Sequence, residues 1–268
     1  MTGLLVKAKA SLWLHTVRTA RYLTSSLNWA ISDGLWVTIY VLGALAFTPP
    51  SHYNAVVPMV FWAVIAWTFM SLSVWVIGNW VRFYISMGVY DEHELAGVDH
   101  AMFLSFRVIP LLILTILSVS VVALFIYIVT EVAPTILNPG LLALSLAVIL
   151  LQSTIYGLIL AYASMVTEAP APLLDFLNFF LFVAGGIAVP IQRLPGMLKA
   201  LALLTPYSYP SELLRLSVVP GYKTYLPPAL DAIVMTLYTT GLLLLFLLVR
   251  SRVREKARRE GVRGIGRM

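Results

Sequence analysis

Apolar residues in this chain come in runs far longer than one face of a soluble helix needs, and the runs are separated by short polar stretches. A bilayer core about 30 Å thick takes roughly 20 apolar residues of helix. Six segments reach about that length without clustered charge: Leu27 to Phe47, Val56 to Gly78, Val108 to Val129, Gly140 to Val166, Pro172 to Val189 and Pro228 to Val249. The pattern predicts an all-α integral membrane protein with six transmembrane helices spread over residues 27–249. Residues 1–26 follow another period. Lys7, Ser11, His15 and Arg18 gather on one side of a helical wheel, and Leu5, Val6, Leu12, Trp13 and Val17 occupy much of the other. That is the pattern of an amphipathic helix lying in the cytoplasmic interface, its apolar arc in the headgroup boundary and its cations on phosphates. Lys9 interrupts the arc, and a solvated leader is the alternative.

Between the fifth and sixth runs the pattern breaks. Gly185 and Gly186 permit a bend, and Pro190 cannot donate to an intrahelical bond, so the fifth helix is expected to stop there. From Leu194, just before Pro195, apolar residues at 194, 197, 198, 201 and 204 keep helical spacing until Pro206. Ten residues rise about 15 Å, half a bilayer core, so this helix is expected to dip in and return. A second short helix is expected from about Tyr209 to Val219, with Ser208 as N-cap, Pro210 in the first turn, and Glu212 and Arg215 one helical step apart. The pair reads as a re-entrant helical hairpin over residues 190–227. A loop lying flat on the outer leaflet is the competing reading.

Composition agrees with a membrane protein. Of 268 residues, 60% are apolar and only 11% charged, and the mean hydropathy is +0.90, which leaves no room for a soluble catalytic domain. The absence of cysteine removes disulfides, thiolate nucleophiles and cysteine metal sites. An A-x-A pattern at Ala44 to Ala46 follows an apolar run that starts too late and runs too long for a signal peptide, so the first span is expected to be retained. The net charge is +6, and eight of the 18 Lys and Arg residues lie at or beyond Arg250. Directly after a span, residues 250–268 read as a basic cytoplasmic tail on anionic lipid. They do not read as a nucleic-acid site, since no stacking aromatics interleave with the charges. Lys7, Lys9, Arg18, Arg21, Arg82 and Arg107 fall on the same side as the tail, whereas loops 48–55 and 130–139 carry no Lys or Arg. Both termini are therefore expected in the cytoplasm of a multi-pass plasma-membrane protein. The hairpin, with Arg193, Lys199 and Arg215, then lies outside against the usual bias. No internal repeat of a secondary transporter is present.

Gly186, Pro190, Leu194-Pro195, Pro206, Tyr209, Glu212 and Arg215 resemble, in order and spacing, the signature near the fifth span of ABC transporter permeases of the type-2 exporter class. Thr205 stands where that family commonly has Asn. The layout is similar along nearly the whole chain: interfacial helix, six spans, a large cytoplasmic loop after span two and a re-entrant hairpin before span six. The resemblance implies a pair of permease subunits, a homodimer here, with two cytoplasmic ATPase subunits that carry ATP and Mg. The chain itself has no G-x-x-x-x-G-K-[ST] phosphate loop. Neither a catalytic residue nor a cofactor is expected in it.

The resemblance also places a coupling helix in the loop at residues 79–107. Gly88, Glu94 and Leu95 match its pattern, while the acids Asp91, Glu92, Glu94 and Asp99 follow the glycine rather than precede it. Carboxylates beside Tyr90 and Leu95 offer complementary charge and an apolar anchor to a basic groove. His93 and His100, seven apart near Asp99, are the only candidate metal pair, and no H-E-x-x-H accompanies them. Polar groups inside spans default to function because lipid penalises them. Asp33, Trp36 and Tyr40 share one face of span one, and Asp175, Asn178 and Phe182 repeat the spacing in span five. The family's pathway lies between those spans. Ser153, Gly157 and Ala161 give span four a small-residue stripe suited to close helix contact. The expected function is outward movement of an apolar or amphipathic compound by alternating access. The alternatives are a membrane-embedded lipid-modifying enzyme and an ATP-independent transporter or channel.

Overall fold

The computed structural model describes residues 2–166 and 171–260, and every regular element among them is helical. Helix α1 (Thr2–Arg21) is separated from α2 (Leu23–Leu45) at Tyr22, whose φ of −107° and ψ of 36° leave the helical region. After the Pro49-Pro50 turn, α3 (Tyr53–Val74) passes through a π-helical turn at Trp75–Asn79 into α4 (Trp80–Ser86). A seven-residue helix, α5 (Val89–Leu95), starts from Gly88, which holds a left-handed φ of 73°. Asp99 caps α6 (His100–Thr130) by accepting from the Met102 amide at 3.1 Å. Asn138 caps α7 (Pro139–Val166) by accepting from the Leu141 amide at 3.0 Å, with Pro at the first helical position. Then come α8 (Ala171–Ala184), α9 (Gly196–Leu204), α10 (Ser208–Val218) and α11 (Pro228–Glu260).

Four of these stretches are long and apolar enough to cross a membrane: Pro50–Ser86, His100–Thr130, Pro139–Val166 and Pro228–Arg259. The protein is a helical membrane protein. Helix α2 has the length, with 23 residues, but Asn28, Ser32 and Asp33 make it more polar than those four. Helix α8 has 14 residues, about 21 Å of rise.

Several boundaries lie beyond the apolar runs. Helix α6 begins at His100 rather than Val108, since its Asp99 cap and the buried Phe103 and Leu104 hold an extra turn and more against the bundle. Helix α11 continues to Glu260, so the first part of the basic tail is helical. No glycine or proline lies between Arg250 and Gly261, and Arg250 and Arg254 pair with Asp99 and Glu94.

Helix α7 is the central post, packed on α3, α10 and α11, while α1 and α2 lie along α6. The small-residue stripe explains the closest approach. A Cβ on Gly157 would sit 2.9 Å from the Ser73 carbonyl oxygen of α3, and Ser153 and Ala161 are fully buried. Helix α1 turns Ser11 and His15 inward and leaves Leu5, Val6, Trp13 and Val17 exposed. Ser11 and His15 of the polar stripe face protein, while Lys7 and Arg18 of that stripe are exposed, as is much of the apolar arc. His15 bonds the Phe103 carbonyl of α6 at 3.0 Å.

Candidate functional site

Three polar constructions stand out, two of them at opposite ends of α7. The residues before α7 meet α10, where the Leu137 and Asn138 amides donate to the Ser217 carbonyl at 2.8 and 3.0 Å. Tyr162 and Met165, near the other end of α7, share a core with Tyr90 of α5 and Val253 of α11. The 28 residues of α7 rise about 42 Å, which sets the separation of the two ends.

At the α10 end, Glu212 and Arg215 are 0% and 1% exposed. Burial of two charges is costly unless every lone pair and proton finds a partner. Glu212 is surrounded by donors: Tyr222 OH and the Tyr225 amide at 2.8 Å, Gln192 Nε2 at 3.0 Å, Arg215 Nη1 at 3.3 Å and the Ile191 amide at 3.4 Å. Arg215 Nη2 donates to the Gly186 and Ile187 carbonyls, both at 2.6 Å. One carboxylate and one guanidinium thereby join the turn after α8, the segment before α9, helix α10 and the chain leading into α11. Burial first, and the neighbouring Glu212 charge with it, push the Tyr222 phenol well above its ordinary pKa, although Arg215 opposes them. Tyr222 therefore stays protonated and donating.

Gly186 has a φ of +68°, and a Cβ there would lie 3.2 Å from Ser208 Oγ, so both backbone and space call for glycine. Pro190 precedes a short 3-10 turn, Ile191–Arg193, and Pro195 is the residue before α9. Pro206 lies between α9 and α10, and Tyr209 OH donates to the Leu203 carbonyl across that junction at 2.8 Å.

At the other end, α5 is tied into the bundle by its neighbours. Asp99 pairs with Arg250. Glu94 lies 3.7 Å from His100 and 3.8 Å from Arg254, and Lys7 donates to the Gly97 carbonyl at 2.7 Å. Tyr90 does not face outward as an anchor. It is 5% exposed and stacks on His100 with ring centroids 4.1 Å apart, because the apolar side of so short a helix is the side that packs. Leu95, 90% exposed, and the exposed Glu92 form the outward surface. The side chain of Asp91 lies outside the described ones. His93 and His100 have centroids 5.6 Å apart among Tyr84, Tyr90 and Phe103. Among the described residues no three His, Asp or Glu side chains are placed to hold a metal ion. Burial lowers the His93 pKa, with Glu92 acting in the opposite sense.

The third construction is a cavity of about 750 Å³ between α2, α3, the π turn, α6 and α8. Two of the residues proposed from sequence for a pathway meet in it, Asp33 from α2 and Asn178 from α8. Asp33 accepts from Ser118 Oγ of α6 at 3.0 Å, and Asn178 Nδ2 donates to Ser71 Oγ of α3 at 2.9 Å. Trp36 and Tyr40 are exposed on the outward side of α2. Tyr40 reaches Trp67 edge-on at 5.9 Å, and Trp67 meets Phe182 at 5.5 Å. The side chain of Asp175 lies outside the described ones. Sequence reasoning missed Trp67, Ser71, Trp75, Trp80 and Arg107, which line the same space. The density of tryptophan from Trp62 to Trp80, and Arg107 as an isolated cation at a span end, were the available signals. The π turn places Trp75, Val76 and Trp80 together on the cavity wall, a register that an uninterrupted 3.6-residue period does not give.

No family model matches this chain, and no curated protein compared with it gives a match.

Proposed function

We propose that this chain is the membrane-spanning permease subunit of an ATP-driven exporter of the ABC type-2 class. In this reading α2 and α8 join the four long helices to make six spans, both termini are cytoplasmic, and α9 with α10 forms an external hairpin that enters the membrane to half depth. The α5 end is the cytoplasmic surface on which a separate ATPase docks, bringing ATP and Mg. A second copy of the chain completes the pathway along the exposed aromatic sides of α2 and α8, where Trp36, Tyr40, Phe176 and Phe179 lie uncovered.

The carrying observation is mechanical. A tied-down surface pad at one end of α7 and a cross-braced helical pair at the other are connected by the same long helices, with a large polar-edged cavity between α2, α3, α6 and α8. Movement of the pad by a partner is transmitted along helices to the braced pair, which is what alternating access requires of a subunit that does not itself hydrolyse ATP. The test is purification from native membranes followed by reconstitution. The reading expects an ATPase bearing a phosphate-binding loop to co-purify, and ATP-dependent outward transport only with both subunits present. ATP-driven transport by this chain alone, or repeated isolation without any such ATPase, overturns it.

A further inference from the structure

The large cavity is not chemically uniform. At one end the guanidinium carbons of Arg107 and Arg18 lie 3.4 and 4.9 Å from the ring centroid of Trp80. Arg107 lines the large cavity, and both arginines line a smaller recess of about 160 Å³, which shares Ser26, Trp80, Arg107 and Leu111 with it. Among the described residues neither arginine has a carboxylate partner. Arg107 donates to the neutral Tyr84 hydroxyl at 3.4 Å, and its buried Nε has no hydrogen-bond partner. His15, also in the recess, adds no third positive charge, because burial above all, and the two arginines beside it, hold it neutral with a pKa of about 4.

Two cations around one indole repel each other, and stacking on the ring offsets only part of that cost. Long cationic side chains near an interface ordinarily extend toward water or phosphate. Here Arg107 is instead half-buried at the recess with a donor to spare, and the exposed Arg18 reaches the same ring. Along α6, Ser118 lies eleven residues beyond Arg107, about 16 Å away, and it is there that Asp33 accepts its bond. The wall between the two polar ends is largely apolar and aromatic, with Leu111, Leu114, Trp67, Trp75 and Val76.

We propose that this is a binding site for an amphiphile with a compact anionic head, phosphate above all. The head sits against Arg18 and Arg107, and the apolar tail runs toward Asp33. Guanidinium groups match phosphate oxygens in paired hydrogen bonds, which fill the donors left open. Asp33 repels an anion at the far end, so the charge pattern fixes the orientation. A volume near 750 Å³ is that of a site for one small ligand. The inference deepens the permease reading by naming the substrate class of its cavity. It is tested by binding with no ATPase present, so its failure and the failure of that reading are separate results.

The experiment uses the full chain in neutral phosphatidylcholine nanodiscs, with the cavity tryptophans as reporters. The probes are 12-bromododecyl phosphate, 12-bromododecyl phosphocholine and inorganic phosphate, and the bromine quenches indole on contact. The expected result is saturable quenching by the phosphate amphiphile at a concentration at least tenfold lower than by the phosphocholine. Inorganic phosphate competes only weakly. Arg107→Gln removes the tenfold preference, Arg107→Lys keeps part of it, and Arg18→Gln reduces it. Each variant is accepted only with a melting profile like that of the parent, and Arg107→Lys keeps the test open if Arg107→Gln fails to fold. Adding phosphatidylglycerol to the disc separates two sources of the same chemistry. A rightward shift of the titration assigns the site to a bilayer phospholipid headgroup, and no shift assigns it to a compound entering from solution. Equal affinity for the two amphiphiles overturns the proposal. So does an unchanged preference in Arg107→Gln, or binding of inorganic phosphate as tight as that of the amphiphile.

Discussion

Replacing Glu212 by alanine removes the group on which five donors converge. Arg215 is left 1% exposed with a charge that no carboxylate balances, and the Tyr225 amide and Tyr222 hydroxyl lose their acceptor. Breaking a buried ion pair from one side costs about 3–5 kcal/mol. The lower end applies, because Arg215 retains the Gly186 and Ile187 carbonyls at 2.6 Å. For a chain of this length about 3 kcal/mol corresponds to a fall in Tm of roughly 6–12 °C, read by tryptophan fluorescence during thermal unfolding in a mild detergent. Glu212→Leu combined with Arg215→Met removes both charges and keeps apolar volume. That double variant is expected to be more stable than Glu212→Ala alone, since no charge is then stranded. A single variant within about 0.5 kcal/mol of the parent, well below the lost-pair cost, would refute the reasoning. Strict additivity of the Glu212 and Arg215 single variants would do the same.

Two other predictions concern packing and pH. Gly157→Ala places a Cβ 2.9 Å from the Ser73 carbonyl and is expected to cost about 1–3 kcal/mol. Gly43→Ala, with nothing within 4 Å, should be close to neutral or slightly stabilising; equal melting temperatures for the two variants would show that α3 and α7 are not in that contact. His15, with a folded pKa of about 4 against the usual 6.5, takes up its proton in the unfolded state first as pH falls. Its contribution is present above pH 6.5, declines down to about 4, and is at most about 3 kcal/mol. The pH dependence of Tm over that window should therefore flatten in His15→Gln, and an identical slope in both proteins contradicts the buried neutral imidazole.

The two short helices after Pro195 and Pro206 were legible because proline acts locally: it removes a donor and fixes φ wherever the chain later packs. The four helices long and apolar enough to cross a membrane were legible from run length alone, although their ends were not. Caps such as Asp99, and ion pairs such as Arg250 with Asp99, extend α6 and α11 past the apolar stretch. A wheel ranks faces by polarity but does not say which face meets protein. Ser11 and His15 were thus placed on the polar side of a helix lying at the membrane surface, and Tyr90 toward a partner, when all three pack inward. The cavity was half legible. Asp33 and Asn178 were conspicuous as polar groups in apolar runs. Their neighbours Trp67, Trp80 and Arg107 became cavity residues only through contacts between distant helices and through the π turn.

The central claim is that the α5 end carries the ATPase and the α9–α10 end faces away from it. Site-specific photo-cross-linking in native membranes tests it most directly, with p-benzoylphenylalanine at Leu95, 90% exposed, or at Met197, 80% exposed. The account expects Leu95 to capture a protein whose sequence contains an ATP-binding phosphate loop, with a yield that falls when nucleotide is depleted, and Met197 to capture none. Capture of that ATPase from Met197, or its absence from Leu95, contradicts the account.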